Sequence, residues 1–194
     1  MKSYATMTEL KARLAISDST DDVMLDNALA AASRWIDLYC GRRFDYTTET
    51  RYYTAEEGDL LRVDDLVSVS SLTTDEDEDR TYETTWTTND YDLMPANAAL
   101  ENRPYTTLEV SPIGSYAFPT GAKGVKLVGV FGWPAVPGPV KEATLLLAAG
   151  LFKRKDAIFG VLGTVDTGMV RIAGLDAQVQ QMLMPYRKVG VGAI

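Results

Sequence analysis

The densest run of potentially reactive side chains is Asp75-Glu76-Asp77-Glu78-Asp79, five adjacent carboxylates. Alternating carboxylates supply the hard oxygen donors that calcium takes, and a calcium loop can begin this way. Such a loop then needs glycine at its sixth position and glutamate at its twelfth, where this chain has Arg80 and Trp86. The run therefore reads as the solvated acidic tip of a hairpin, with no metal. Asp64-Asp65 and Glu56-Glu57 are the other paired acids. No partner in the sequence would raise either pair's pKa for acid–base work, so both read as surface turns. Gly160, Gly163, Gly168 and Gly174 form neither a GxGxxG turn nor a phosphate loop ending in Lys-Ser/Thr, and read as a plain loop.

Histidine is absent. That removes the commonest general base, triad member and zinc ligand at once. Cys40, the single cysteine, excludes an intrachain disulfide and fits a reducing cytoplasm; on an apolar helix face it reads as a small buried hydrophobe. Arg42-Arg43 and Lys153-Arg154-Lys155 follow helical stretches, where cations meet the negative end of the helix dipole. The expectation is a protein that is not an enzyme and has no catalytic residue, cofactor or metal.

The elements around these residues are of two textures. Thr6-Met7-Thr8-Glu9 matches a capping box, and Met7, Leu10 and Leu14 recur at helical spacing, predicting a helix from Thr8 to Ile16. Ser19 or Thr20 can cap a second helix. Its apolar stripe runs Leu25, Ala28, Leu29, Ala32, Trp35, Ile36, Tyr39 and Cys40, with Asp26, Ser33, Arg34 and Asp37 opposite, and Gly41 ends it. From Arg43 to Val130 threonine, tyrosine and valine dominate. The runs FDYTTETRYYTA, LVSVSSL, TYETTWTT, TTLEV and GVKLVGVFG, separated by turn signals, predict antiparallel strands inserted between helices. Pro139 then opens VKEATLLLAAGLF. On a wheel, Val140, Thr144, Leu147 and Leu151 share one face, and Leu145, Ala148 and Phe152 a second. A helix apolar on two sides must be covered on two sides, by its own core and by a neighbouring subunit. Gly160 to Gly174 reads as a loop with a short strand at Met169 to Ile172. Asp176 can cap a last helix through Val179, Met182 and Leu183, ended by Pro185, and the closing KVGVGAI reads as flexible in isolation.

The 194 residues suit one domain with a large insertion, and 46% hydrophobic residues allow a real core. No signal peptide or membrane span is expected. Net charge is −8, unevenly spread: residues 45–110 hold 17 acids and 4 bases, residues 111–194 hold 4 acids and 9 bases. The acidic middle repels nucleic acid.

Three stretches together resemble the head-to-tail connector (adaptor) proteins of tailed bacteriophages and related gene-transfer particles. The first is TELKARLAI, a polar linker, then DDVMLDNALAAASRWIDLYCGRRF. The second is GVKLVGVFGWPAVPGPVKEATLLLAAGLFKRKD, a strand leading through Gly132-Trp133-Pro134 into an Ala/Leu-rich helix. The third is LDAQVQQMLMPYRK. They cover about half the chain, and their order and spacing make the match specific.

The residue pattern predicts an α+β fold, with three to four helices in residues 1–42 and 134–194 carrying a β-rich antiparallel insertion, residues 43–133. The resemblance implies that the helical part is a connector core; the length and strand content of the insertion depart from small members of that family. The resemblance also implies a structural virion protein of the neck, assembled in the host bacterial cytoplasm, forming a homo-oligomeric ring (dodecameric in known members) under the portal protein. Genomic DNA would pass through the ring's channel without sequence-specific binding, and stopper or tail-terminator proteins would attach opposite the portal. The expected portal contacts are Tyr186, Arg187, Lys188, Val191 and Ile194. The expected seam between subunits is Leu145, Ala149 and Phe152, with Lys153 and Arg154 at its edge. One alternative is a carbohydrate- or receptor-binding module using Tyr52, Tyr53, Trp86 and Tyr91, although cross-strand packing is the commoner role of such side chains. Another is an enzyme using carboxylates alone.

Overall fold

The computed structural model describes residues 2–154, 161–162, 170–171 and 177–188. The chain divides into two compact units, Met1–Phe44 with Val136–Ile194, and Asp45–Ala135. The fold is α+β, as the sequence textures predict.

In the helical unit, α1 (Met7–Leu14) starts on the expected capping box. The Thr6 hydroxyl accepts the Glu9 N–H at 3.2 Å, and the Glu9 carboxylate accepts the Thr6 N–H at 2.8 Å. Those two bonds satisfy amides that the helix itself leaves unpaired. The Thr6 N–H, the Thr6 hydroxyl and the Lys141 ammonium all donate to the Glu9 carboxylate and lower its pKa to about 2. A carboxyl held below its ordinary value stabilises the fold above that value and loses this as pH falls toward the folded one. Glu9→Gln is therefore expected to cost about 1 kcal/mol at pH 7 and progressively less as pH falls toward 2. Urea unfolding of both proteins across pH 2–7 checks it; parallel stability curves would refute it.

Helix α2 (Asp22–Cys40) differs from expectation at its start, since Asp21 holds the cap position without a side-chain cap hydrogen bond and Asp18 accepts the Thr20 N–H at 2.9 Å. Its apolar stripe is buried as expected at Leu25, Ala28, Leu29, Ala32, Ile36 and Cys40. Three side chains depart from it. Ser33, expected opposite the stripe, is fully buried: its hydroxyl donates to the Leu29 carbonyl at 2.8 Å and accepts the Tyr4 N–H at 3.1 Å. Trp35 and Tyr39 are half-exposed and stack on each other, ring centroids 5.1 Å apart. Serine can sit inside because it bonds a neighbouring turn, which hydropathy periodicity does not register. Gly41 closes the helix at φ +64, the left-handed conformation that glycine adopts without a Cβ penalty.

Helices α3 (Gly138–Lys153) and α4 (Ala177–Leu183) complete this unit, α4 running into a 3-10 turn at Met184–Tyr186. Leu10, Leu25, Leu29, Ala32, Leu145, Ala148 and Phe152 form the main shared core.

The other unit is an antiparallel sheet of β1 (Tyr46–Tyr53), β2 (Leu60–Thr74), β3 (Thr84–Trp86), β4 (Tyr91–Met94), β5 (Tyr105–Val110) and β6 (Val125–Gly132). The order is β1-β6-β2-β5-β4, with β3 on the far half of β2. The last strand in sequence thus lies between the first two. Strand β4 was not anticipated, because Tyr91–Met94 is too short to show alternation. Asp64 and Asp65, expected in a surface turn, lie within β2. Asp65 is 6% exposed and accepts the Trp133 indole N–H at 3.2 Å, while Asp64 pairs with Arg51 at 2.8 Å. The Arg51 guanidinium also lies 4.2 Å over the Phe131 ring. A short β7 (Val161–Leu162) pairs with β8 (Val170–Arg171) inside the stretch expected to be a loop with a strand at Met169 to Ile172.

Candidate assembly surface

With catalytic chemistry unexpected, the surfaces to examine are α3 and the segment after α4. Helix α3 begins after Pro137 with Pro139 in its first turn, whose missing N–H costs nothing there. Two ion pairs join its start to α1, Lys141–Glu9 at 3.0 Å and Arg13–Glu142. Both are partly exposed, so each contributes ~1 kcal/mol or less.

Burial along α3 corrects one expectation. Leu145 (7%), Ala148 (0%) and Phe152 (8%), on the side expected to carry the seam, lie in the unit's own core, and Val140, Ala143 and Thr144 are buried as well. The Thr144 hydroxyl donates to the Val140 carbonyl at 2.8 Å, which removes its polar cost. The chain's own α1, α2 and α4 pack around this helix. Wheel geometry counts apolar faces but does not say how many helices of the same chain will return to cover them.

Of the residues expected at the seam, Leu145 and Phe152 are buried inside the unit. Ala149 is half-buried against that core, and Lys153 and Arg154 are exposed where the helix ends. Leu146, Leu147 and Gly150 are partly exposed, and Leu151 reaches 36%. The open apolar surface of α3 is thus confined to its last two turns. Lys155 lies outside the described residues.

The segment after α4 is better anchored than its composition suggests. The Tyr186 ring meets Phe44 edge-on at 5.9 Å, the Arg187 guanidinium lies 5.1 Å over Tyr39, and the Lys188 N–H donates to the Cys40 carbonyl at 2.7 Å. All three expected portal-contact residues that are described therefore dock on the end of α2 or on Phe44 just beyond it. Val191 and Ile194, and the cap Asp176, lie outside the described residues. Phe44 is the pivot: fully buried, it also takes Tyr4 edge-on at 5.7 Å and donates its N–H to the Tyr4 hydroxyl at 2.9 Å. Burial, followed by the hydrogen bond to Asp37, pushes the Tyr4 phenol well above its usual range. The Cys40 thiol, 1% exposed, is pushed up to about 11 by burial, so it stays protonated and inert as expected. No charge pattern in sequence links residues 184–188 to residue 44; only the aromatics themselves hinted at it.

The aromatic residues of the carbohydrate-binding alternative do not form a platform. Trp86 is 5% exposed, stacked on Phe118 at 4.5 Å, with its indole N–H on the Thr74 hydroxyl; Tyr91 is buried and Tyr53 half-buried near Phe131. Tyr52 alone is exposed, beside Tyr82, on a shallow cleft of about 380 Å³ with Arg80, Ala122 and Lys123. Sugar stacking needs open ring faces, and three of the four rings are spent on packing. Among the described residues, no helix is long and apolar enough to cross a membrane.

Comparison with known proteins bears out the resemblance read from the sequence. The family described as Phage gp6-like head-tail connector protein matches residues 4–93. Among solved structures, a chain in the neck of an empty gene transfer agent (GTA) particle, computed with C6 symmetry, is similar over 97% of this chain and 91% of its own. It shares 20% identity, with a TM-score of 0.58. A chain in the virion of the native GTA particle gives 0.57, and one in the native neck computed with C12 symmetry gives 0.50, with the same identity and coverage. At this identity the likeness shows the fold. No curated protein sequence matches.

Proposed function

We propose that this chain is a head–tail connector subunit that closes with identical copies into a ring beneath the portal protein, extends the DNA channel and offers the tail its attachment site. One observation carries the reading: a connector family matches residues 4–93, and chains of particle necks share the fold over 97% of the length. Those necks were computed with C6 and C12 symmetry, which is why a ring is the assembly proposed here. Subunits in a ring meet through two different patches that must complement each other. The surplus of acids in residues 45–110 and of bases in residues 111–194 supplies part of such complementarity. An acidic body also lets DNA slide past without adhering.

In this reading Tyr186, Arg187 and Lys188 lead the chain toward the portal, with Val191 and Ile194 beyond them. The seam is carried by Ala149, Lys153 and Arg154, and Leu145 and Phe152 brace it from within. Stopper or tail-terminator proteins bind the face away from the portal, and the assembly is built in the host cytoplasm.

The test is native mass spectrometry and electron microscopy of the purified protein, alone and with its portal. Rings on the portal are expected. Lys153→Glu with Arg154→Glu should lower ring occupancy about tenfold or more with an unchanged unfolding midpoint, since both side chains are exposed. Absence of portal binding by the wild type would sink the connector reading, and unaltered rings in the double variant would remove these residues from the seam.

A further inference from the structure

We propose that the loop joining β2 to β3 is a calcium site, in which carboxylate oxygens of Asp75, Asp77 and Glu83 close on one ion. The three oxygens lie within 4.8 Å of one another. Calcium holds its ligands at roughly 2.3–2.6 Å, so oxygens on opposite sides of one ion stand about 4.6–5.2 Å apart. The spacing is therefore within the reach of one calcium.

Asp75 supplies the independent sign. It is fully buried, and its Oδ2 accepts the Arg80 N–H at 2.9 Å, yet its Oδ1 is buried with no hydrogen-bond partner. An ionised carboxylate oxygen taken out of water and left unmatched is costly, and a bound cation removes that cost. Two other acids of the loop, Glu76 and Asp79, are accounted for differently. Glu76 accepts the Thr74 hydroxyl at 2.6 Å and the Thr84 hydroxyl at 2.9 Å, and Asp79 accepts the Thr81 N–H at 2.6 Å. Arg80 is the only base within residues 75–83 and commits its guanidinium to the Ala122 carbonyl. The loop is also fixed in place, through the Asp75 N–H on Gly124 at 2.9 Å and the Tyr82 hydroxyl on Lys123 at 2.8 Å. Asp77 and Glu83 remain exposed, one from each side of the turn, with Asp75 beneath.

The donor set selects the ion. All three donors are hard oxygens, the chain has no histidine, and its one cysteine belongs to the other unit, so softer metals find no ligands. Magnesium demands near-octahedral geometry and gives up water reluctantly, which an irregular carboxylate loop does not favour. The glycine and glutamate spacing that this loop lacks belongs to one helical kind of calcium site. Here the turn itself carries Glu83 back to Asp75, a ligand order that spacing rule does not contain.

The experiment is calorimetric titration of the full-length, EDTA-stripped protein with calcium chloride, then with magnesium chloride, in about 0.15 M sodium chloride to suppress diffuse ion binding. Wild type is compared with the Asp77→Asn, Glu83→Gln double variant, whose changes are exposed and leave the buried Asp75 in place. Saturable binding of one calcium per chain is expected, about tenfold or more weaker for magnesium and for the double variant. No saturable heat up to about 5 mM calcium, beyond the range of even weak protein sites, overturns the proposal. Equal affinity in the double variant overturns the ligand set, and equal affinity for magnesium overturns the choice of ion.

Discussion

Gly132→Ala is expected to lower the stability of the sheet unit by about 4 kcal/mol, a large share of what a domain of this size possesses. Gly132 has φ +118, and a Cβ there would lie 1.9 Å from the Asp45 carbonyl oxygen and 2.9 Å from the Tyr46 Cα. Both obstacles are backbone, so neither can swing aside as a side chain would. Gly132 pairs with Tyr46 at the end of the β1–β6 ladder, so relief requires separating the strands there. The check is urea denaturation followed by tryptophan fluorescence. Gly150→Ala is the control: a Cβ there meets nothing within 4 Å, and alanine suits the interior of α3. Gly150→Ala should be neutral or slightly stabilising, and a Gly132→Ala midpoint equal to it would refute backbone strain at Gly132.

Phe44→Ala should cost the helical unit about 3–5 kcal/mol, the usual range for deleting a fully buried aromatic ring. The ring touches Tyr4 on one side and Tyr186 on the other, so its loss frees the beginning of the chain and the segment after α4 together. Two measurements separate this from a generic core defect. Trypsin should cut after Arg187 and Lys188 markedly faster than in wild type, because their docking onto Tyr39 and Cys40 depends on Tyr186 being seated. Leu38→Ala, at an 83% exposed position of α2, should change stability by less than about 0.5 kcal/mol and leave cleavage unchanged. Uniform cleavage rates would mean that Phe44 does not hold the segment.

The helices were legible because capping chemistry and apolar periodicity are local. Thr6 and Glu9 cap α1 as their spacing demands, and the α2 stripe is buried along its length wherever the residue is aliphatic. The failures have a common cause. Ser33 is inside because Tyr4, 29 residues away, supplies a donor to its hydroxyl, and Asp65 is inside because Trp133, 68 residues away, supplies one. Polarity reads as exposure until a distant partner is known. The candidate surfaces suffered the same blindness: Leu145 and Phe152 were legible as an apolar face, but what covers them was not.

The residue pattern by itself determined the α+β class, the helix caps, the alternation of most strands, the improbability of histidine- or thiol-based chemistry and the likeness to connector proteins. Those follow from interactions within a few residues, or from composition. Only the tertiary structure decided that β6 lies between β1 and β2, that Tyr186 seats on Phe44 while Arg187 and Lys188 dock on the end of α2, and that α3 is largely enclosed by its own unit. It also brought Glu83 back to the buried Asp75. These are contacts between residues far apart in the chain, and many pairings of the same local elements satisfy the same local preferences. The closing of long loops around a shared core selects one of them.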